Sequence, residues 1–395
     1  MSSEDVSRDE STHDVSLATI ARAWTRLGFI GFGGPPTHIA LLRRLCVEER
    51  QWIEPEEFED GIAATNLLPG PASTQLAIFC AWRLRGTVGG ILGGVCFILP
   101  GLAIILALSS VFLAHHPAGW ILGAAAGAGA AVPAVALNAA WQLVPSSRAR
   151  VGPAKSARVR WSIYALVGGV GAASIGPYLV LVLLLCGVAE IAVRRQARPT
   201  SSGSLYMVIP ATVVHVGLFG GIGALAWVAL KVGALSYGGG FVVVPLMQHD
   251  AVTTYHWMTA AQFLNAVALG QITPGPVVQT VAVVGYAAAG LGGGLLAALI
   301  AFSPSFLFIL LGGSRFDRIR ANTSMRFFLG GAGPAVIGAI AGSAIPLGLS
   351  YQHLWQIPIL AVAIIWMFVL RRGVVSALLI AGAVGIILAI TGVPV

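Results

Sequence analysis

Two Pro-Gly-Pro triplets, each inside an apolar stretch, constrain this chain more than any other feature. Residues 67–75 read Leu-Leu-Pro-Gly-Pro-Ala-Ser-Thr-Gln, and residues 272–280 read Ile-Thr-Pro-Gly-Pro-Val-Val-Gln-Thr. Each proline removes a backbone donor and clashes with the preceding helical turn, so neither stretch can form one continuous helix. In lipid, such a break is tolerated only where the freed backbone groups face protein, water or a ligand.

The composition places these breaks in a membrane protein. Of the 395 residues, 57% are hydrophobic and only 10% are charged, whereas soluble domains carry about 25% charged residues. The net charge of +8 comes from basic residues at the ends of apolar runs. That distribution is typical of membrane topology and does not indicate a nucleic-acid partner. We therefore predict an all-α polytopic membrane protein.

The sequence predicts neither an enzyme nor a metal protein. It contains no P-loop pattern, no His-Glu-x-x-His and no Gly-x-Ser-x-Gly. The four cysteines, Cys46, Cys80, Cys96 and Cys186, lack Cys-x-x-Cys spacing and are interpreted as packing residues. No cofactor is expected. Transport by such a chain would be secondary or passive, because a nucleotide site is not predicted.

The two Pro-Gly-Pro triplets belong to an internal repeat. A shift of 205 residues aligns the halves without a gap from residue 28 to residue 77. The shift pairs Trp52 with Trp257, Phe58 with Phe263, and the triplet at 69–71 with that at 274–276. Because tryptophan is rare and the whole triplet falls on the same diagonal, we interpret the pattern as a duplication.

Loop charges predict that the two repeats have opposite orientations. The loop at 115–117 has no Lys or Arg, whereas the equivalent loop at 315–320 has three. By the positive-inside rule, these loops lie on opposite sides of the membrane. Inverted repeats with broken transmembrane helices are typical of transporters whose site lies near the midplane.

The predicted organisation has four parts. They are a disordered cytoplasmic tail (1–16), an N-terminal repeat (17–200), a linking span (201–221) and an inverted C-terminal repeat (222–395). We predict about thirteen spans, with about ten as the lower bound, because the broken helices near the start of each repeat could be re-entrant.

A helix that restarts inside the membrane is a candidate anion site. Its first turn exposes free backbone amides, and its macrodipole places roughly half a positive charge there. Ser73, Thr74 and Gln75 follow the first triplet, and Gln279 and Thr280 follow the second. The alternative interpretation is that each triplet only kinks a packed helix.

Glycine breaks in the neighbouring helices are predicted to bring a second backbone to the same space. His38 follows the first of them as a possible ligand donor or proton carrier, with a hydrogen-bonded interior histidine as the alternative. The candidate substrate-binding residues are Gly33, Gly34, Pro35, His38, Pro69, Gly70, Pro71, Ser73, Thr74, Gln75, Tyr237, Gly238, Gly239, Gly240, Pro274, Gly275, Pro276 and Gln279.

Arg26 and Lys231 are candidates for attracting the anion. They occupy equivalent positions, each seven residues before a glycine pair, and Lys231 is the only Lys, Arg, Asp or Glu between residues 205 and 249. An intramembrane charge is costly and often functional. The alternative is that both side chains snorkel to the membrane surface.

These motifs resemble the chromate ion transporter family in its long, two-domain form, over roughly residues 17–347. The resemblance rests on Phe32-Gly33-Gly34-Pro35 with His38, on Trp52, and on Leu68-Pro69-Gly70-Pro71 followed by Ser73-Thr74-Gln75. In the second half it rests on 237–240, Trp257 and 274–276. Val277 and Val278 replace the hydroxyls of Ser73 and Thr74, so the halves are expected to be unequal, with the first contributing more polar contacts.

The resemblance implies an inner-membrane secondary transporter that exports chromate and gives chromate resistance, driven by the proton-motive force or the membrane potential. A sulfate or other oxyanion carrier, an anion channel and a membrane scaffold without transport are the alternatives. The expected partners are chromate or a similar tetrahedral oxyanion and membrane lipid. Protons and a second copy of the chain remain open as partners.

Overall fold

The computed structural model describes residues 15–66, 68–114, 117–152, 154–174, 178–196, 221–236, 241–312 and 323–395. Within these ranges every regular element is helical, which confirms the all-α prediction. Most of the predicted tail, nearly all of the predicted linking span, the loop at 315–320 and the glycine break at 237–240 lie outside them.

Fourteen α-helices are described. In the first part they are α1 Leu17–Ile30, α2 Pro35–Arg43, α3 Pro55–Thr65, α4 Ala72–Phe112, α5 Gly119–Val151, α6 Lys155–Ser174 and α7 Leu179–Gln196. In the second part they are α8 Ile222–Leu235, α9 Val243–His249, α10 Ala260–Ile272, α11 Thr280–Gly312, α12 Thr323–Leu349, α13 Gln356–Ile364 and α14 Val374–Ile390. Helices α2, α9 and α13 continue into the π-helical segments Arg44–Glu49, Asp250–Thr254 and Ile365–Val369.

Four of these helices are long and apolar enough to cross a membrane. They are α4, α5, α12 and the stretch Val277–Gly312, which adds a 3₁₀ turn to α11. Several long apolar helices in one chain make this a multi-pass membrane protein. The count of about thirteen spans stays a prediction, because the other described helices are shorter or less apolar.

Two long helices, α4 and α11, are each bent back on themselves. The backbone leaves helical geometry at Arg85–Gly86 and again at Ala289–Gly290, 204 positions later. Beyond the first bend Gly93 packs against Ala81, and beyond the second Gly293 packs against Gly285, so close that a Cβ on either glycine would overlap its neighbour. Each helix therefore forms two antiparallel arms held by small residues.

The first Pro-Gly-Pro triplet lies at the tip of a re-entrant hairpin made by α3 and the first arm of α4. The Glu57 carboxylate near the start of α3 forms an ion pair with Arg83 at the end of that arm, and Gly61 lies against the Phe79 ring. In one continuous helix Glu57 and Arg83 would be roughly 39 Å apart. This segment thus folds back on itself, as the re-entrant alternative for the broken helices requires.

Helices α5 and α12 each pack against helices of the other part. Helix α5 packs mainly along α14, where Gly127 meets the Ala381 carbonyl, and α12 packs mainly along α6 and α7, where Gly338 meets the Ala165 carbonyl. Because each part contributes a helix to the other's bundle, the regions 17–200 and 222–395 do not pack as separate units.

Several local geometries recur at the spacing of the proposed duplication. Gln51 and His256 both have φ of 51°. The following Trp52 N–H donates to the Cys46 carbonyl at 2.7 Å, and the equivalent Trp257 N–H donates to the Ala251 carbonyl at 2.9 Å. These recurrences support a duplication, while the opposite orientation of the halves stays a prediction.

Replacing Gly93 by leucine tests the α4 hairpin. We expect Gly93→Leu to destabilise the protein by about 1–3 kcal/mol or more, because the side chain would overlap Ala81 and press on the Trp24 indole. The melting temperature in detergent measures this effect. Gly292→Leu is the matched control, since a Cβ there meets open space; equal melting temperatures for the two variants would contradict the packed hairpin.

Candidate functional site

Both Pro-Gly-Pro loops lie in the protein interior. Gly70 and Gly275 have φ of 115° and 96°, a backbone conformation that side chains other than glycine rarely adopt. Residues 70–81 and 273–285 are buried without interruption. The freed backbone groups of both breaks therefore face protein, which is the condition under which such breaks are stable in a membrane.

A glutamine closes each loop. Gln75 Nε2 donates to the Pro69 carbonyl at 2.6 Å, and Gln279 Nε2 donates to the Pro274 carbonyl at the same distance. A carbonyl only accepts hydrogen bonds, which fixes the orientation of both amides. These glutamines were predicted as donors to an anion. The structure instead assigns one N–H of each to a loop carbonyl and leaves both Oε1 atoms buried without a partner among the described residues.

The second arm of each long helix covers the loop of the other part. Gly101, next to Pro100 in α4, lies against the Pro274 carbonyl and the Gln279 amide. Ser305, next to Pro304 in α11, lies so close to Gly70 that a Cβ there would be 3.2 Å from its Oγ. The sequence analysis missed Gly101 and Ser305. The two helical prolines, 204 residues apart, were the signal that could have identified them.

His38 connects the two loops through a chain of hydrogen bonds. Its Nδ1 lies 3.2 Å from Ser73 Oγ, and its Nε2 lies 2.9 Å from the Gly31 carbonyl oxygen. The Gly275 N–H donates to that same oxygen at 2.9 Å. Because a carbonyl cannot donate, Nε2 carries a proton, and in the neutral ring Nδ1 accepts from Ser73. His38 is thus a hydrogen-bonded interior histidine, the alternative interpretation, and it also joins the two loops.

Polar groups around the first loop have unused hydrogen bonds that a ligand could accept. Thr74 Oγ1 and Ser305 Oγ are buried and have no hydrogen-bond partner in the described part of the chain. Helix α4 starts at Ala72 without a side-chain cap, so its first amides are not bound by a capping side chain. Helix α2 differs, because it begins with Pro35 and Pro36, which have no N–H to offer. Amide donors therefore come from α4 more than from the glycine break.

A cavity of about 290 Å³ reaches this loop from one side. Its lining includes Gly70 and Ala72 of the loop, Pro35 at the start of α2, and Asn66 and Arg150 at its polar margin. The volume holds a tetrahedral oxyanion with several waters, since a water occupies about 30 Å³ in the liquid. Arg150, which was not among the residues predicted for the site, brings positive charge to this cavity.

The residues predicted to attract the anion lie apart from the loops. Arg26 is exposed on α1. Lys231 forms an ion pair with Asp250, and their side chains are only 9% and 11% exposed. A carboxylate from the π-helical segment after α9 thus neutralises Lys231, and the attraction of an anion by Arg26 and Lys231 stays a prediction. The glycine pair Gly33-Gly34 does reach the second loop, where Gly34 lies beside Val277.

Comparison with known proteins identifies the family. A sequence profile of the family described as chromate transporter matches residues 18–191 and 223–387. The probable chromate transport protein of Synechococcus elongatus is 30% identical over 345 residues, which cover 86% of this chain and 86% of that protein. The chromate transport protein of Cupriavidus metallidurans is 33% identical over 347 residues, covering 84% and 82%. That of Pseudomonas aeruginosa is 29% identical over 350 residues, covering 84% and 81%.

No solved structure matches this chain. The profile, in contrast, spans both parts of the sequence, and the relatives align over most of their own length. The chain therefore belongs to the chromate transporter family.

Proposed function

We propose that this protein is a secondary transporter that exports chromate across the inner (plasma) membrane and so gives chromate resistance. The substrate class follows from the names of the relatives, which are chromate transport proteins. Chromate is a tetrahedral dianion shaped like sulfate, so it suits a site made of hydrogen-bond donors and helix N-termini.

The observation that carries this proposal is the start of α4. Three kinds of donor lie around the first loop, namely the amides at the start of α4, the unpartnered hydroxyl of Thr74, and the unpartnered hydroxyl of Ser305 from the other part. In a water-poor interior such donors stabilise an anion far more strongly than they would in water. The oxyanion binds beside Gly70, and Arg150 attracts it into the adjoining cavity.

The second loop offers fewer side-chain hydrogen-bond donors than the first. Counted back from the loop-closing glutamines Gln75 and Gln279, Val277 and Val278 stand where the first loop has Ser73 and Thr74. The Thr280 hydroxyl donates to the Val277 carbonyl of its own turn at 2.7 Å. The second loop therefore acts mainly as the wall of the site, tied to the first through Gly31 and His38. The two parts are inverted repeats, and movement of one against the other exposes the first loop to each side in turn.

Transport in proteoliposomes separates this proposal from its alternatives. We expect chromate uptake under an imposed membrane potential to saturate and to show counterflow, with sulfate a weaker competitor. Preferred sulfate uptake would instead identify a sulfate carrier. Non-saturating flux without counterflow would identify a channel. If neither anion is transported, the protein would be a membrane scaffold without transport.

A substitution at Gly70 tests the loop itself. We expect Gly70→Ala to lower the rate of chromate uptake by about ten-fold or more, because φ is positive and the new Cβ would press on Gln75 Nε2 and Ser305 Oγ. Gly392→Ala is the control, since that glycine has φ of 82° but open space around it. Uptake is normalised to membrane-inserted protein. Equal uptake rates in both variants would contradict a role of the Gly70 loop in transport.

A conservative change at Thr74 tests the donor set. Thr74→Val removes the unpartnered hydroxyl with little change of shape. We expect it to raise KM for chromate by about ten-fold, because a hydrogen bond to a charged group contributes about 1.5–3 kcal/mol.

The matched variant Thr280→Val removes a hydroxyl that already bonds within its own turn, and we expect a smaller rise in KM. An equal or larger effect at Thr280 would contradict the inequality of the two loops.

A further inference from the structure

A second cavity, of about 740 Å³, lies away from the Pro-Gly-Pro loops at the end of α5 and the start of α6 and α12. Four arginines line it, namely Arg150, Arg160, Arg194 and Arg326. Arg160 and Arg194 are fixed in place by Glu190, which is 1% exposed and accepts from their Nε atoms at 2.8 Å and 2.6 Å. Among the described residues, four guanidinium groups line the cavity and one carboxylate, that of Glu190, lies beside them, so these side chains carry an excess of positive charge.

An apolar groove of about 740 Å³ continues from this region along the same helices. Its lining includes Trp141 of α5, Leu166 and Val170 of α6, and Ile345 of α12. All four are large side chains that are 55–69% exposed, as expected for a surface that faces hydrocarbon in a membrane protein.

The cavity and the groove follow one another along the helices. Gly338 lies against the Ala165 carbonyl and Gly342 against the Gly169 carbonyl, so α6 and α12 run side by side in the same direction. The basic residues are at the start of both helices, and the groove begins about 8 Å further along, five residues after Arg160 on α6. The basic cavity and the apolar groove therefore form one elongated surface.

We propose that this surface binds one anionic phospholipid. The phosphate lies among the arginines, whose planar guanidinium groups bind phosphate oxygens in pairs. One acyl chain lies along the groove between Trp141 and Ile345. A basic pocket between transmembrane helices is a recognised form of headgroup site. A free anion would use only the cavity, and a zwitterionic lipid would add its own cation to a region that already has an excess of positive charge.

The position of this lipid places it next to the substrate's path. Arg150 lines both the basic cavity and the 290 Å³ cavity at the first Pro-Gly-Pro loop. A lipid phosphate at the basic cavity competes with the transported anion for that guanidinium. The lipid site stands whether or not the transported anion is chromate, because Arg160, Arg194, Arg326 and the apolar groove do not line the cavity at the first loop.

Native mass spectrometry of the full-length protein tests the headgroup. The purified, delipidated protein is titrated with dioleoyl phosphatidylglycerol, with dioleoyl phosphatidylcholine and with inorganic phosphate. We expect one phosphatidylglycerol to bind about ten-fold more tightly than phosphatidylcholine. Arg326→Gln should weaken phosphatidylglycerol binding about five-fold or more, whereas Arg372→Gln, an exposed arginine between α13 and α14, should not.

A second pair of variants tests the groove. Ala173→Phe fills the groove from α6 at an exposed position and should also weaken phosphatidylglycerol binding, whereas Ala361→Phe, an exposed alanine of α13 outside the groove, should leave it unchanged. Unchanged melting temperatures show that the variants fold. The proposal is overturned if Arg326→Gln has no effect on lipid binding, or if phosphate displaces the lipid while Ala173→Phe binds it normally, since a free-anion site would explain that result.

Discussion

The structure depends on how two broken helices satisfy their backbone in an apolar interior. Each Pro-Gly-Pro loop frees carbonyls and amides in the protein interior, where an unpaired buried backbone group costs as much as a lost hydrogen bond. Gln75 and Gln279 each return one N–H to a proline carbonyl, and the Gly275 amide donates to Gly31. The amides at the start of α4 receive no capping side chain. The loops are therefore stable without a ligand, yet they retain donors in the place where an anion would bind.

Each loop is covered by a helix of the other part, so the hydrogen bonding at the loops depends on how the two parts pack together. Gly101 and Ser305 can reach the opposite loops because α4 and α11 fold back at equivalent bends and lie against each other. The exchange of α5 and α12 between the two bundles ties the parts together further. In the proposed transport cycle, separation of α11 from the first loop removes Ser305 from the anion and opens the site.

Much of this arrangement follows from sequence, but its contacts between the two parts do not. The prolines and glycines at 69–71 and 274–276 dictate breaks wherever they lie, so the loops and their burial could be predicted from backbone chemistry alone. The hairpin could not be chosen over a broken span, because both have the same apolar pattern and only tertiary contacts such as the Glu57–Arg83 and Gly61–Phe79 pairs distinguish them. The ion pair between Lys231 and Asp250 was not predicted, because a partner nineteen residues away across a glycine break leaves no periodic signal in the sequence. The roles of Ser305 and Arg150 arise from tertiary packing, and local sequence rules do not describe that packing.

The claim that most needs a direct test is that an oxyanion binds at the start of α4. Tungstate is a tetrahedral dianion like chromate, and its heavy atom is easily located in an experimental map. A structure determined with tungstate should show strong density about 3 Å from Thr74 Oγ1, between the first loop and Ser305, and Thr74→Val should weaken that density. Density confined to the arginines of the basic cavity, with none at the loop, would contradict the account.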